Sequence, residues 1–88
     1  VFRMHGGEPV HVRLQLDYVA KNLLVEEYPL AEQGLTPQKD DSWIWEGDIY
    51  RMEGAGRFVL GLSDHVRILE GEPLKAFLRN QAQAILSA

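Results

Sequence analysis

From Pro9 onward, apolar and polar positions alternate: Val10, Val12, Leu14 and Leu16 are separated by His11, Arg13 and Gln15. That two-residue period predicts a strand with one buried face. Asp17 follows, placed to cap a helix by accepting from the free amides of its first turn. Ala20, Leu23, Leu24 and Tyr28 recur at helical spacing until Pro29 ends the stripe. Leu35-Thr36-Pro37-Gln38 reads as a short strand that Pro37 confines to a sheet edge, and Lys39-Asp40-Asp41-Ser42 reads as a turn. A second alternating run sets Trp43, Trp45 and Ile49 on one face, with Ile44, Glu46, Asp48 and Tyr50 on the other. Gly47 inside it predicts a bulge or a close approach by a packed element. Glu53-Gly54-Ala55-Gly56 breaks that strand, and Ala55, Phe58, Val59 and Leu62 form a short helical stripe. After a turn at Ser63-Asp64, Val66 and Ile68 alternate with His65 and Arg67 in a last strand. Gly71 ends it, and Pro73 suits the first turn of a final helix striped by Leu74, Phe77, Leu78, Ala82, Ile85 and Leu86.

The order is strand, helix, edge strand, strand, helix, strand, with one helix more. Right-handed crossovers on each strand–helix–strand unit place both internal helices on one face of a four-stranded antiparallel sheet. The expected fold is α+β, a ferredoxin-like sandwich with two helices on one sheet face and an extra C-terminal helix. The other face stays open unless the last helix or a partner covers it.

Composition narrows this further. Eighty-eight residues allow one core, and a core of that size buries about 60–65% of the unfolded chain's surface. Residues 1–8, with Gly6 and Gly7 and no periodicity, read as a linker or arm; residues 9–88 read as the single domain. The chain starts at Val1, so the expectation is a piece of a longer protein. Thirteen acidic side chains against nine Lys and Arg give a formal charge of −4, which argues against a free-standing nucleic-acid binder but leaves room for a small basic patch. Cysteine is absent, which removes disulfides, thiolate metal sites and thiol nucleophiles. No apolar run approaches a membrane span and no signal peptide opens the chain, so a cytoplasmic location without membrane contact is expected.

The candidate chemistry lies on the open sheet face. It should carry His11, Arg13, Gln15, Glu46, Asp48, Tyr50, His65, Arg67 and Leu69, with Arg13 near Glu46 or Asp48 on one side and Arg67 on the other. Such a face is either solvated and laced with cross-strand ion pairs, or a surface where Arg13, Arg67 and the histidines meet an anion. The histidines have neither a His-x-His nor a His-x3-His spacing, so structural roles are expected of them and no metal or cofactor is implied. Gly54-Ala55-Gly56-Arg57 could seat an anion at a helix start, but it lacks the residues of a phosphate-binding loop and reads first as a helix-entry turn. Trp43 and Trp45 share a face and read as core. No nucleophile–base arrangement stands out, so no enzymatic activity is expected.

Several segments taken in order resemble the C-terminal extension, or WCX domain, of WYL-domain transcriptional regulators. They are Val10 to Leu14, Ala20 to Glu27, Gln38 to Trp43 and, most tellingly, Phe58 to Glu70 followed by Leu74 and the final helix. The similarity spans about residues 9–87. Two details depart from the family pattern: Gly71-Glu72 precede Pro73 after the last strand, and Ser63-Asp64 occupy the turn where the family has glycine. The resemblance implies a bacterial regulator whose winged helix-turn-helix and WYL domain lie upstream. It further implies a ferredoxin-like module that assists homodimerisation and helps form a surface for nucleic-acid, including single-stranded DNA, or other anionic effectors. Of the residues here, Arg13 and Arg67, with His11 beside them, are the ligand-binding positions it implies. Two other readings stand beside it: a module resembling ACT-type amino-acid sensors, suggested by Gly54 and Gly56, and a purely structural oligomerisation domain built on the C-terminal stripe.

Overall fold

The structure, a computed structural model, describes residues 9–87; the linker expected over residues 1–8 lies outside the described residues. Strand β1 (Val10–Leu16) leads into helix α1 (Tyr18–Glu27), a 3-10 helix (Pro29–Gly34) and the edge strand β2 (Leu35–Pro37). Strand β3 (Trp43–Ile49), helix α2 (Met52–Gly61), strand β4 (Val66–Glu70) and helix α3 (Glu72–Leu86) follow. The four strands form one antiparallel sheet in the order β2-β3-β1-β4, the order expected of a ferredoxin-like sandwich. Pro37 pairs only with Trp43, at the edge where its missing N–H costs nothing.

Local chemistry fixes where the elements start and stop. The Asp17 carboxylate accepts from the Ala20 amide at 3.0 Å and so caps α1. Asp40 does the same work in the turn before β3, accepting from the Ser42 amide at 3.1 Å and the Ser42 hydroxyl at 2.6 Å. Gly71, at φ 137°, links β4 to α3 in a conformation L side chains rarely adopt, and a Cβ there would stand 2.9 Å from Val12 Cγ1.

One core holds the helices to the sheet. Val12, Leu14 and Leu16 of β1 meet Ala20 and Leu24 of α1, Phe58 and Val59 of α2, and Leu74 of α3. Leu16, Leu74 and Val12 are the largest side chains with no exposure. Trp43, Trp45 and Ile49 lie directly across from Leu16, Leu14 and Val10 and pack half-buried against the same core. The Trp45 indole N–H donates to the Ala31 carbonyl at 2.8 Å, which ties β3 to the 3-10 helix. The extra helix α3 therefore joins the helical layer through Leu74 and leaves the other sheet face uncovered.

Of the two readings of Gly47, a bulge or a close approach, the structure has the close approach, made by a ring of the same strand: the Trp45 ring lies over it, 2.8 Å from where a Cβ would be. The bulge falls between β1 and β4, at Arg13/Leu14. The Gly54-Ala55-Gly56 segment lies inside α2, which starts at Met52. Gly56 is small because Phe77 of α3 crosses there, 2.5 Å from a would-be Cβ, whereas a Cβ on Gly54 would meet only the Tyr28 hydroxyl, at 3.6 Å.

Candidate functional site

Antiparallel register decides what the open face presents. His11 stands opposite Asp48, Arg13 opposite Glu46, and Gln15 opposite Ile44 on β3. His11 Nδ1 lies 3.1 Å from an Asp48 oxygen and His11 Nε2 lies 2.7 Å from a Glu46 oxygen. A neutral imidazole donates from one nitrogen only, so meeting two carboxylates is best served by the imidazolium with both nitrogens donating. The hydrogen bond to Glu46, then that to Asp48, accordingly raise the His11 pKa above the ordinary imidazole value. Arg13 Nε adds a longer contact to Glu46, 3.9 Å. All four side chains are about half exposed, so these pairs remain in contact with water and contribute little each.

Arg67 stands apart from this cluster. It is opposite Gln15, whereas the bulge brings Arg13 opposite Glu70. The expected adjacency of Arg13 and Arg67 across the β1–β4 pair is thus replaced by an offset of two positions along β1. Arg67 is exposed, makes no ion pair within 4 Å among the described residues, and borders a shallow hollow with Gln15, Ser42 and Asp64. The three sequence-predicted ligand positions therefore divide: His11 and Arg13 are engaged by carboxylates, and Arg67 is available.

Two residues leave the face on which the alternation put them. His65 precedes β4, and its Nδ1 lies 2.6 Å from Asp17 Oδ2, so it braces the α1 cap from the neighbouring turn. The Asp17 carboxyl is held below the usual carboxylate range by the Ala20 amide first and by His65 second. Tyr50 follows the end of β3 and lines a groove on the helical side. Sequence reasoning missed both because alternation gives the parity of a strand but not where it ends. Among the described residues no group of three or more His, Cys, Asp or Glu side chains could hold a metal ion, and no helix is long and apolar enough to cross a membrane.

In comparison with known families, the WCX domain model matches residues 8–86, nearly the whole chain. No curated protein and no solved structure matches.

Proposed function

The chain belongs to the WCX domain family, and from that premise we propose that it is a non-enzymatic regulatory and dimerisation module of a WYL-type transcriptional regulator. Its open sheet face, in this reading, helps bind an anionic or nucleic-acid effector beside a neighbouring WYL domain. The observation that carries the proposal is the family match over residues 8–86. A polar, exposed sheet face with Arg67 unpaired among the described residues gives it a place to act.

The mechanism is a shift of population. An effector that binds better in one dimer arrangement than in the other favours that arrangement, and the coupling changes DNA affinity in the helix-turn-helix domain. Arg67 makes the primary anion contact. His11 and Arg13 contribute less, because an anion must compete with Glu46 and Asp48 for them.

The test is fluorescence anisotropy of labelled single-stranded oligonucleotides with the full-length regulator and with this chain alone. Arg67→Ala is expected to weaken binding to the full-length protein by about threefold to tenfold and to lower the salt dependence. Arg13→Ala is expected to do less. Equal binding by wild type and both variants would remove the open face from the reading, and a gene encoding neither a helix-turn-helix nor a WYL segment upstream would remove the regulator.

A further inference from the structure

On the helical side of the sheet, reaching the open-face residue Asp48 at its rim, a groove of about 950 Å³ runs between the end of α1, the 3-10 helix and the first turns of α2. Its floor is core: Val12, Leu14, Leu24 and Phe58. Half-buried Trp45, Ile49, Ala31 and Ala55 form its walls, and exposed Tyr28 and Tyr50 stand at the mouth. The volume is that of a small-molecule site, commonly about 300–1,000 Å³. Those floor residues are nearly inaccessible even to water, so a ligand lies over the half-buried wall residues and not against the floor.

The polar rim sets the ligand's charge. Arg51 and Arg57 line the groove, are exposed, and make no ion pair within 4 Å among the described residues. Two acidic side chains also line it. Asp48 is occupied by His11 at 3.1 Å, and Glu53 lies one helical turn before Arg57. The rim thus carries two arginines and two carboxylates, and among the described residues the two guanidinium groups have no ion pair within 4 Å and are open to an anionic head group above an apolar interior. We propose that this groove is a binding site for a small amphipathic monocarboxylate, its hydrocarbon or aromatic body against Trp45, Ile49 and Ala55 and its carboxylate on the guanidinium groups of Arg51 and Arg57. A planar guanidinium matches a carboxylate fork with two parallel hydrogen bonds, which selects this head group over a neutral one.

The probe is sodium octanoate, titrated into the chain while amide and indole N–H resonances are followed by NMR. The Trp45 indole N–H, bonded to Ala31 in the groove wall, is expected to shift saturably together with the amides of Gly54 and Ala55. Trp43 lies at the other end of β3 outside the groove, beneath Lys21 at 4.5 Å, and its indole is expected to stay in place. Octanol is expected to bind about tenfold more weakly, and the double variant Arg51→Gln/Arg57→Gln to lower octanoate affinity by about the same factor. Gly54→Leu places a side chain at the groove mouth where a Cβ meets only the Tyr28 hydroxyl, at 3.6 Å; it should block binding without lowering Tm. Non-saturating shifts, equal shifts at both tryptophans, equal affinity for octanol, or full binding by the double arginine variant would each overturn the proposal. Loss of the groove ligand leaves the oligonucleotide test at Arg67 untouched, so the two readings fail separately.

Discussion

His11 is where a sequence reading and a structural reading of one residue diverge most. Met in the sequence, it is a candidate anion contact; in the sheet, its two ring nitrogens are already held by Asp48 and Glu46 at 3.1 and 2.7 Å. Because its folded pKa is raised, the stabilisation it provides is complete below the unfolded imidazole value, about pH 6.5, and is lost as pH rises through the folded value. An NMR titration of the His11 ring should therefore give a midpoint above about 6.5, and the stability gap between wild type and His11→Gln should close as the solution turns alkaline. Asp17 has the opposite sign. Its folded pKa is lowered, so its contribution is complete above about pH 4 and disappears as pH falls through the folded value. Asp17→Ala removes both the α1 cap and the brace to His65 and should cost about 1 kcal/mol in urea unfolding at neutral pH, with no such penalty in strong acid. Leu74, with no exposure at all, is the α3 residue set deepest in the core, with Leu78 packed against it, and Leu74→Ala should cost about 2–5 kcal/mol by the same measurement.

Between elements, the contact that most constrains the architecture is the crossing of α2 and α3. Phe77 lies 2.5 Å from where a Gly56 side chain would begin, so any larger residue forces the two helices apart or the ring aside. Alanine is a better helix former than glycine by about 1 kcal/mol, yet overpacking costs about 1–3 kcal/mol, and the net for Gly56→Ala is a loss. Adding Phe77→Leu should return most of it, since the ring edge that clashes is removed. Chemical denaturation of the two single variants and the double variant provides the cycle, and a coupling near zero would deny the contact. The pattern of apolar positions on α2 and α3 was legible in the sequence, because amphipathic periodicity is local. Their crossing was not, since nothing in a glycine's neighbours along the chain says which ring will lie over it.

For the molecule as a whole, burial is lopsided. The first half of α3 is anchored by Leu74, but Ile85 and Leu86 at its end are 68% and 82% exposed. One small sheet does not cover the whole apolar stripe, which fits a dimerisation role for α3. Static light scattering should show a mass that rises with concentration for the wild type and stays at the monomer value for Ile85→Lys/Leu86→Lys. Substitution at exposed sites should move the monomer's own stability by no more than about 0.5 kcal/mol. The net charge of −4 acquires a location at this scale as well. Glu46 and Asp48 of β3 stand against His11 and Arg13 of β1, and Glu70 of β4 pairs in register with Arg13, while Arg67, Arg51 and Arg57 have no ion pair within 4 Å among the described residues.

The sequence by itself determined the four strands, the three α-helices, their order and the α+β class, because side-chain period, caps and prolines act over a few residues; the 3-10 helix at Pro29–Gly34 and the start of α2 at Met52 it did not show. It also carried the WCX-like spacing of apolar positions, and the two tryptophans were correctly placed on the helical face by alternation alone. Only the tertiary structure decided the register of β1 against β3 and β4, and with it the pairing of His11 with two carboxylates and the two-position offset of Arg67. The same holds for the role of Gly56, the position of His65 and the groove between α1 and α2. Each of these depends on contacts between residues distant in the chain, whose geometry is fixed when the core closes and is not encoded in any local pattern.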